Sequence, residues 1–257
     1  MVHSVPVSQR LSKQIRSLKR KPFREENRLY IAEGEKLCEE LLSSAHNAEM
    51  IIVKDFNDDN VRILAERFAS LNLPIYSAAG KQFALFCDSV TPQSILAVVQ
   101  MKEQNFMPDK PFIALDGVSD PGNAGTIVRT AEWFGINQII FGADSADIFN
   151  PKTVRSTMGA IFKCNLLYEE NLADFIKTCF PKHELFGASL VTANKLEEIK
   201  PKNSRFGLVF GNESAGISCD MKELLKKEFK ITGLGRSESL NVAVAAGIAL
   251  YHFAKYL

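Results

Sequence analysis

The pattern on which the whole fold is built first appears in Phe112-Ile113-Ala114-Leu115-Asp116-Gly117-Val118-Ser119-Asp120-Pro121-Gly122-Asn123-Ala124-Gly125. Its four leading apolar residues predict a strand that is buried on both faces, and the polar turn after them leads into a predicted helix over residues 125–134. The same succession of strand, polar loop and helix recurs towards the end of the chain. Such alternation is typical of a mostly parallel sheet covered by helices, so we predict an α/β fold.

Apolar runs and helical periodicity predict the remaining elements. In the second half of the chain we expect strands over 138–141, 165–168, 185–189, 206–210 and 229–232, and helices over 153–162, 172–179 and 240–257. In the first half we expect a helix over 33–42, a second helix over 61–68 capped by Asn60, and strands over 50–53, 74–76 and 95–101. Polar residues around Pro108 predict a linker. The predicted organisation is a small α/β domain over 1–103, a linker over 104–110 and a larger domain over 111–257.

Composition and residue spacing argue against a membrane-spanning protein and against a metal-binding protein. The chain is 46% hydrophobic over 257 residues, enough for a substantial core. Its longest uncharged apolar run, residues 240–251, is too short to span a bilayer, so we expect a cytoplasmic protein with no membrane contact. The five cysteines and four histidines have no ligand-like spacing, so we expect no metal.

Positive charge is concentrated near the start of the chain. Residues 1–30 carry eight basic and two acidic side chains, whereas the net charge of the whole chain is only +1. Such asymmetry favours a polyanionic partner. The alternative is an ordinary solvated helix face, because Leu11, Ile15 and Leu18 form one apolar stripe. The candidate RNA-binding residues are Arg10, Lys13, Arg16, Lys19, Arg20 and Lys21.

Three glycine-containing polar loops follow predicted strands, at residues 116–125, 211–216 and 232–241. Ligands of open parallel sheets bind beyond the carboxyl ends of the strands, where such loops meet. Any one loop could be ordinary turn and capping chemistry, but three at one edge favour a ligand site. A dinucleotide site at Gly233-Leu234-Gly235 is disfavoured, because only one helix follows and no βαβ unit can be completed.

The three loops resemble the motifs of the SpoU (TrmH) family of RNA ribose 2′-O-methyltransferases, within the SPOUT class. The first motif is carried by Asn123-Ala124-Gly125, Arg129-Thr130-Ala131 and Phe134-Gly135, the second by Phe210-Gly211-Asn212-Glu213 with Gly216, and the third by Ser239-Leu240-Asn241-Val242 with Ala245-Ala246-Gly247. The stretch Tyr30-Ile31-Ala32-Glu33-Gly34 is similar to the substrate-binding domain of ribosomal-RNA members, which has a fold like ribosomal protein L30e.

The resemblance implies features that patterning alone does not. It implies a trefoil knot formed by the C-terminal segment, and a homodimer in which each site is completed by the first-motif helix of the other protomer. It also implies S-adenosylmethionine as the cofactor. The residues matched to its binding site are Phe210, Gly211, Ile231, Leu234 and Leu240. Many relatives have Ile-Pro-Met where this chain has Ile231-Thr232-Gly233, which predicts a more flexible loop here.

By the same resemblance the catalytic candidates are Arg129, Asn123, Glu213, Ser239 and Asn241. A ribose hydroxyl needs activation, and because arginine stays protonated at ordinary pH, Arg129 is better suited to stabilising a developing oxyanion than to acting as a base. Glu213 and Asn241 could alternatively serve only as helix-terminal residues. We therefore expect 2′-O-methylation of a ribose in ribosomal RNA. Two alternatives remain open, namely the same chemistry on transfer RNA and a non-catalytic module that binds RNA or ribosomes.

Overall fold

The computed structural model describes residues 2–257 and separates into two compact units. Unit 1 comprises the chain up to Glu103 together with Phe149–Phe162, and unit 2 comprises Gln104–Ile148 and Lys163–Leu257. The segment 149–162 therefore lies between two parts of unit 2 in the sequence but packs within unit 1. No helix within residues 2–257 is long and apolar enough to cross a membrane.

Unit 1 contains a mixed five-stranded sheet in the order β1-β4-β3-β5-β2. Its strands are β1 Val5–Pro6, β2 Leu29–Glu33, β3 Ala48–Val53, β4 Ile75–Ser77 and β5 Ile95–Gln100. Its helices are α1 Gln9–Ser17, α2 Lys21–Asn27, α3 Glu35–Leu42, α4 Asp59–Ser70 and α5 Gly80–Ala84, followed by α7 Pro151–Ser156 and a 3-10 turn over Ala160–Phe162. Strand β5 pairs antiparallel with β2 and β3, whereas β4 pairs parallel with β1 and β3.

Two local predictions for unit 1 were wrong in ways that capping explains. The helix predicted from Glu33 begins at Glu35, because Glu33 ends strand β2 and Gly34 adopts a positive φ of 110° that interrupts the strand. The cap of α4 is Asp58 rather than Asn60, and the Asp58 carboxylate accepts the peptide N–H groups of Asn60 and Val61. The apolar stripe of α1 is confirmed, since Ile15 is buried.

Unit 2 contains a six-stranded sheet in which every pair is parallel, as predicted. The strand order is β11-β9-β10-β6-β7-β8. The strands are β6 Phe112–Asp116, β7 Gln138–Gly142, β8 Asn165–Glu169, β9 Glu184–Ala188, β10 Phe206–Gly211 and β11 Lys227–Phe229. The helices are α6 Pro121–Trp133, α8 Leu172–Cys179, α9 Cys219–Leu224 and α10 Val242–Phe253, with 3-10 turns over Leu196–Glu198 and Ala254–Tyr256.

The central strands of this sheet are buried on both faces, which explains their continuous apolar sequence. Residues 112–115 of β6 and 206–210 of β10 are almost completely excluded from solvent. On one side, Phe253 of α10 contacts the rings of Phe186, Phe206 and Phe229. Helix α10 also packs along α6. The carboxyl ends of β6 and β10 therefore lie side by side, with α6 and α10 starting close to them.

In unit 2 the sequence misplaced the start of α6 and the strand β11, and it missed helix α9. Helix α6 starts at Pro121 instead of residue 125, because the Asp120 carboxylate caps it by accepting the Asn123 N–H and Pro121 fits the first helical turn. Strand β11 covers 227–229 instead of 229–232, which leaves residues 230–240 outside helices and strands. The short helix α9, capped by Ser218, has no long periodic pattern and was missed.

Candidate active site

Three side chains from the three motif loops form one hydrogen-bonded cluster. The Asn123 Nδ2 group donates to Glu213 Oε1 over 2.9 Å, and the Asn241 Nδ2 group donates to Asn123 Oδ1 over 2.9 Å. We call Asn123, Glu213 and Asn241 the acceptor cluster, because the resemblance places the methyl-accepting group beside these residues. Residues up to 118 positions apart in the sequence meet here, so the sheet edge gathers the loops as expected for a parallel α/β site.

Two members of the acceptor cluster, Asn241 and Asn123, have further hydrogen bonds to helix ends. Asn241 caps α10 through its Oδ1 atom, which accepts the N–H groups of Ala243 and Val244. The N–H group of Asn123 is bound by the cap residue Asp120. A purely capping role accounts only for the Oδ1 atom of Asn241, because its Nδ2 group donates to Asn123. These anchors restrict the rotamers of the cluster before any ligand binds.

A second layer of contacts fixes the loop that leads into α6. Gly117 has a φ of 85°; its carbonyl accepts Asn212 Nδ2 over 2.9 Å and its N–H donates to Ser145 Oγ over 3.1 Å. The Asn212 Oδ1 atom accepts the N–H groups of Ser214 and Ala215 and so shapes the turn that presents Glu213. Sequence reasoning did not assign Asn212 or Ser145, although Asn212 lies inside a quoted motif.

Arg129 and Ser239 do not join the acceptor cluster within the chain. Arg129 lies on the exposed surface of α6, and Ser239 lies in the exposed loop before α10. Neither side chain forms a hydrogen bond or ion pair with any residue from 2 to 257. The guanidinium of Arg129 therefore remains available to a ligand or to a second copy of the chain.

The residues matched to the cofactor site differ in what they can offer. The side chain of Phe210 is fully buried, so only its peptide group can contact a ligand. A Cβ atom on Gly211 would come within 2.3 Å of the backbone of Gly216, so this glycine is required by the turn itself. Ile231 is half-buried, Leu240 is 47% exposed and Leu234 is 101% exposed.

We call the loop 231–240 the donor loop, because the resemblance assigns it to S-adenosylmethionine, the methyl donor. It has features suited to an adenosine derivative. Its peptide groups make no hydrogen bond with the described part of the chain, and both Gly233 and Gly235 border open space. Leu190 and Val191, which follow the neighbouring strand β9, are also highly exposed. Free peptide groups beside apolar side chains can bind a nucleoside through its base edges and ring faces, so the residues present fit the methyl donor.

A separate cleft of about 730 Å³ lies beyond the ends of β6, β7 and β10. None of Ile231, Leu234 and Leu240 lines it. Its wall carries one lysine and six carboxylates, from Asp116, Asp144, Glu170, Asp174, Asp220 and Glu223. This charge disfavours a phosphate backbone. Among residues 2–257, no group of three or more His, Cys, Asp or Glu side chains is arranged to hold a metal ion.

The cations near the start of the chain lie in unit 1, on α1, on the turn after it and at the first residue of α2. We call residues 10–21 the basic arm. Lys19 Nζ is held by the Cys87 carbonyl at 2.6 Å, and Lys21 pairs with Glu25 at 3.7 Å. The buried Ile15 and Leu18 fix the opposite face of the arm to the core. The side chains exposed on its surface are Arg10, Lys13, Arg16, Lys19, Arg20 and Lys21.

Comparison with known proteins agrees with this geometry. The family model "SpoU rRNA Methylase family" matches residues 110–251, and the model "MRM3-like substrate binding domain" matches residues 11–97. The chain is 33% identical over 238 residues to the 23S rRNA (guanosine(2553)-2′-O)-methyltransferase RlmP of Bacillus subtilis, covering 92% of this chain and 93% of RlmP. It is 27% identical over 213 residues to the 23S rRNA (guanosine-2′-O-)-methyltransferase RlmB of Escherichia coli, covering 79% of this chain and 88% of RlmB.

A solved structure shows the same fold over nearly the full length. The AdoMet-bound rRNA methyltransferase from Sinorhizobium meliloti superimposes with a TM-score of 0.85 and 27% identity, over 98% of this chain and 97% of that one. The match includes both units of the chain. The sequence resemblance to an RNA methyltransferase family is thereby confirmed at the level of sequence and of fold.

Proposed function

The chain belongs to the SpoU rRNA methylase family, and we propose that it transfers a methyl group from S-adenosylmethionine to the 2′-hydroxyl of a ribose in ribosomal RNA. The observation that carries the proposal is the acceptor cluster, in which Asn123 of the first motif hydrogen-bonds to Glu213 of the second and to Asn241 of the third. The names of RlmP and RlmB, both 23S rRNA 2′-O-methyltransferases, support the substrate.

The donor is assigned to the edge of unit 2 formed by the loops after β10 and β11. Peptide groups of Phe210 and Gly211 and the side chains of Ile231, Leu234 and Leu240 would hold it. When bound, S-adenosylmethionine supplies an electrophilic methyl group whose leaving group needs no proton. The chain's own residues therefore need to activate only the acceptor.

Activation of the acceptor is assigned to Arg129 with the acceptor cluster. A ribose hydroxyl is a weak nucleophile, and the transition state places negative charge on its oxygen. As the ribose oxygen takes the methyl group and the methyl–sulfur bond breaks, the hydroxyl proton would pass to water. Arg129 binds the adjacent phosphate and stabilises the developing charge, while Asn123 and Glu213 orient the hydroxyl. Ser239 and Asn241 close the site from the side of α10. Charge stabilisation rather than proton abstraction follows from the high pKa of an arginine side chain in general.

A homodimer would bring Arg129 to a complete site. Helices α6 and α10 pack together and leave apolar side chains exposed on their outer surface. Those on α6 and α10 are Trp133, Val244, Ile248 and Tyr251, with exposures from 39% to 81%. A surface of this kind favours association with a second copy of the chain. Because Arg129 is exposed on α6, dimerisation through these helices would present it to the site of the other protomer.

Roles are also proposed for the two domains, the C-terminal segment and the basic arm. Residues 1–103 act as the RNA substrate-binding domain, 104–110 as a linker and 111–257 as the catalytic domain, with the segment 149–162 packed in unit 1. The C-terminal segment forms a trefoil knot by passing beside residues 189–199, which is supported by the bridge between Lys195 and Lys230. The basic arm binds RNA phosphates. A cytoplasmic location is proposed because ribosomal RNA is the substrate.

The test is methyl transfer by purified protein with tritiated S-adenosylmethionine, using unmodified 23S rRNA and unmodified transfer RNA in parallel. The proposal expects label on the ribosomal RNA and little on transfer RNA. Label confined to transfer RNA would support the same chemistry on the alternative substrate. Tight RNA binding with no label on either RNA would indicate a non-catalytic module and would overturn the proposal.

A further inference from the structure

The motif Tyr30-Ile31-Ala32-Glu33-Gly34 has a clear structural partner in unit 1. Strand β2, which carries it, packs against α7 of the segment 149–162. The ring of Tyr30 lies 4.8 Å from that of Phe149, measured between centroids. The Glu33 side chain, only 6% exposed, lies 3.8 Å from Nη1 of Arg155. The motif therefore binds a segment that follows β7 in the sequence.

Arg155 joins two carboxylates. Its Nη2 atom lies 3.4 Å from Asp88 Oδ2, and its buried Nη1 atom has no hydrogen-bond partner and faces Glu33. The Glu33 carboxylate in turn accepts the Asp88 N–H over 2.9 Å and the hydroxyl of Ser89. We call Glu33, Asp88 and Arg155 the clasp. It fixes the turn Cys87–Ser89 from one side.

The basic arm holds the same turn from the other side. Lys19 Nζ donates to the carbonyl of Cys87, the residue next to Asp88. Burial, and next to it the charge of Glu33, raise the pKa of the Cys87 thiol to about 12, whereas Lys19 and Lys54 act in the opposite direction. The turn Cys87–Ser89 is thus contacted by the ammonium group of Lys19 and by the carboxylate of Glu33. Without Arg155, a buried carboxylate would stand unpaired beside the basic arm.

We propose that Arg155 is a positioning residue for RNA binding, which holds the turn Cys87–Ser89 under Lys19 and neutralises the Glu33 and Asp88 carboxylates that would otherwise oppose RNA phosphates at the basic arm. The proposal rests on the proposed function, since it takes RNA as the ligand of the arm. Arg155 acts without touching RNA. Its contribution is therefore separable from that of a phosphate-binding cation such as Arg16.

The experiment uses full-length Arg155→Gln and measures its affinity for unmodified 23S rRNA over a series of salt concentrations. We expect RNA binding to weaken about tenfold with an unchanged salt slope, whereas Arg16→Gln should lower the slope by about 1. The KM for RNA should rise while kcat at saturating RNA and the Kd for S-adenosylmethionine stay unchanged. Arg62→Gln is the matched control, because Arg62 also faces two carboxylates but on an exposed helix surface.

Rescue of RNA binding by a second substitution is the other part of the test. Glu33→Gln added to Arg155→Gln removes the stranded carboxylate, so RNA affinity should return to within about threefold of the original protein. Arg155→Lys, which keeps the charge, should retain most of the affinity and serves if Arg155→Gln folds poorly. Two results would overturn this inference and leave the proposed function standing. In the first, Arg155→Gln does not change the RNA affinity. In the second, Arg155→Gln lowers both RNA and donor affinity, and Glu33→Gln does not restore them. Failure of the original protein to bind or methylate RNA would overturn the proposed function as well.

Discussion

The acceptor cluster and the donor loop lie on the same edge of unit 2 but differ in how far the chain itself organises them. Asn123 hydrogen-bonds to both Glu213 and Asn241 at 2.9 Å, and capping contacts also hold Asn241 and the Asn123 N–H. Residues 231–240 have free peptide groups, and Leu234 is fully exposed. The difference indicates that acceptor-side geometry is built into the fold, whereas the donor side takes its final form around a ligand or a second protomer.

Two glycines, one beside the turn that presents Glu213 and one in the donor loop, should respond most differently to substitution. Alanine at Gly211 would bring its Cβ within 2.3 Å of the Gly216 backbone, so Gly211→Ala should lower the free energy of unfolding by about 3 kcal/mol. Gly235 borders open space, so Gly235→Ala should change it by less than about 0.5 kcal/mol. Denaturant titration of both variants measures the difference. Equal effects would show that the two regions are equally ordered.

Removing a member of the acceptor cluster should impair the chemical step and leave donor binding intact. Asn123→Ala breaks both side-chain contacts of the cluster, and we expect kcat to fall about 100-fold. The Kd for S-adenosylmethionine, measured by calorimetry, should stay within about twofold. Ser214→Ala is the control from the same turn and should match the original protein. A parallel loss of donor affinity in Asn123→Ala would contradict the separation of roles.

Hydrogen exchange can show whether the donor loop becomes ordered on binding. Peptides covering 231–240 should exchange rapidly in the free protein and slow down at least about tenfold with saturating donor. Peptides covering 212–217 should show little change, because the hydrogen bonds of this turn already exist. Equal protection of both regions before donor addition would refute an initially open donor loop.

The smallest expected effect is at the exposed leucine of the donor loop. Leu234→Ala should weaken donor binding about fivefold, because the side chain gains burial only in the complex. Stability of the free protein should not change, since Leu234 makes no buried contact. Val90→Ala, at a residue 99% exposed in unit 1, controls for loss of a surface apolar group. No change in donor affinity would remove Leu234 from the site.

The sequence predicted the parallel sheet well because strands such as β6 and β10 are buried on both faces and read as uninterrupted apolar runs. It misplaced β11 and the start of α6, where short capping and edge segments carry no periodicity. The three motifs were identified from the sequence, although Asn123 lies in the first turn of α6 rather than in a loop. The hydrogen bonds joining Asn123 to Glu213 and Asn241 depend on tertiary geometry. Contacts such as those of Ser145 with Gly117 and of Arg155 with Glu33 join distant residues without a local signal.

The most direct test of the central claim is the chemical position of the methyl group. Unmodified 23S rRNA is incubated with the protein and tritiated S-adenosylmethionine, hydrolysed with alkali, and examined for label in alkali-resistant dinucleotides, since only 2′-O-methylation blocks cleavage. The account predicts label in that fraction with the original protein and about 100-fold slower labelling with Asn123→Ala. Label in alkali-released mononucleotides, or no label at all, would contradict the assignment of this site to ribose methylation.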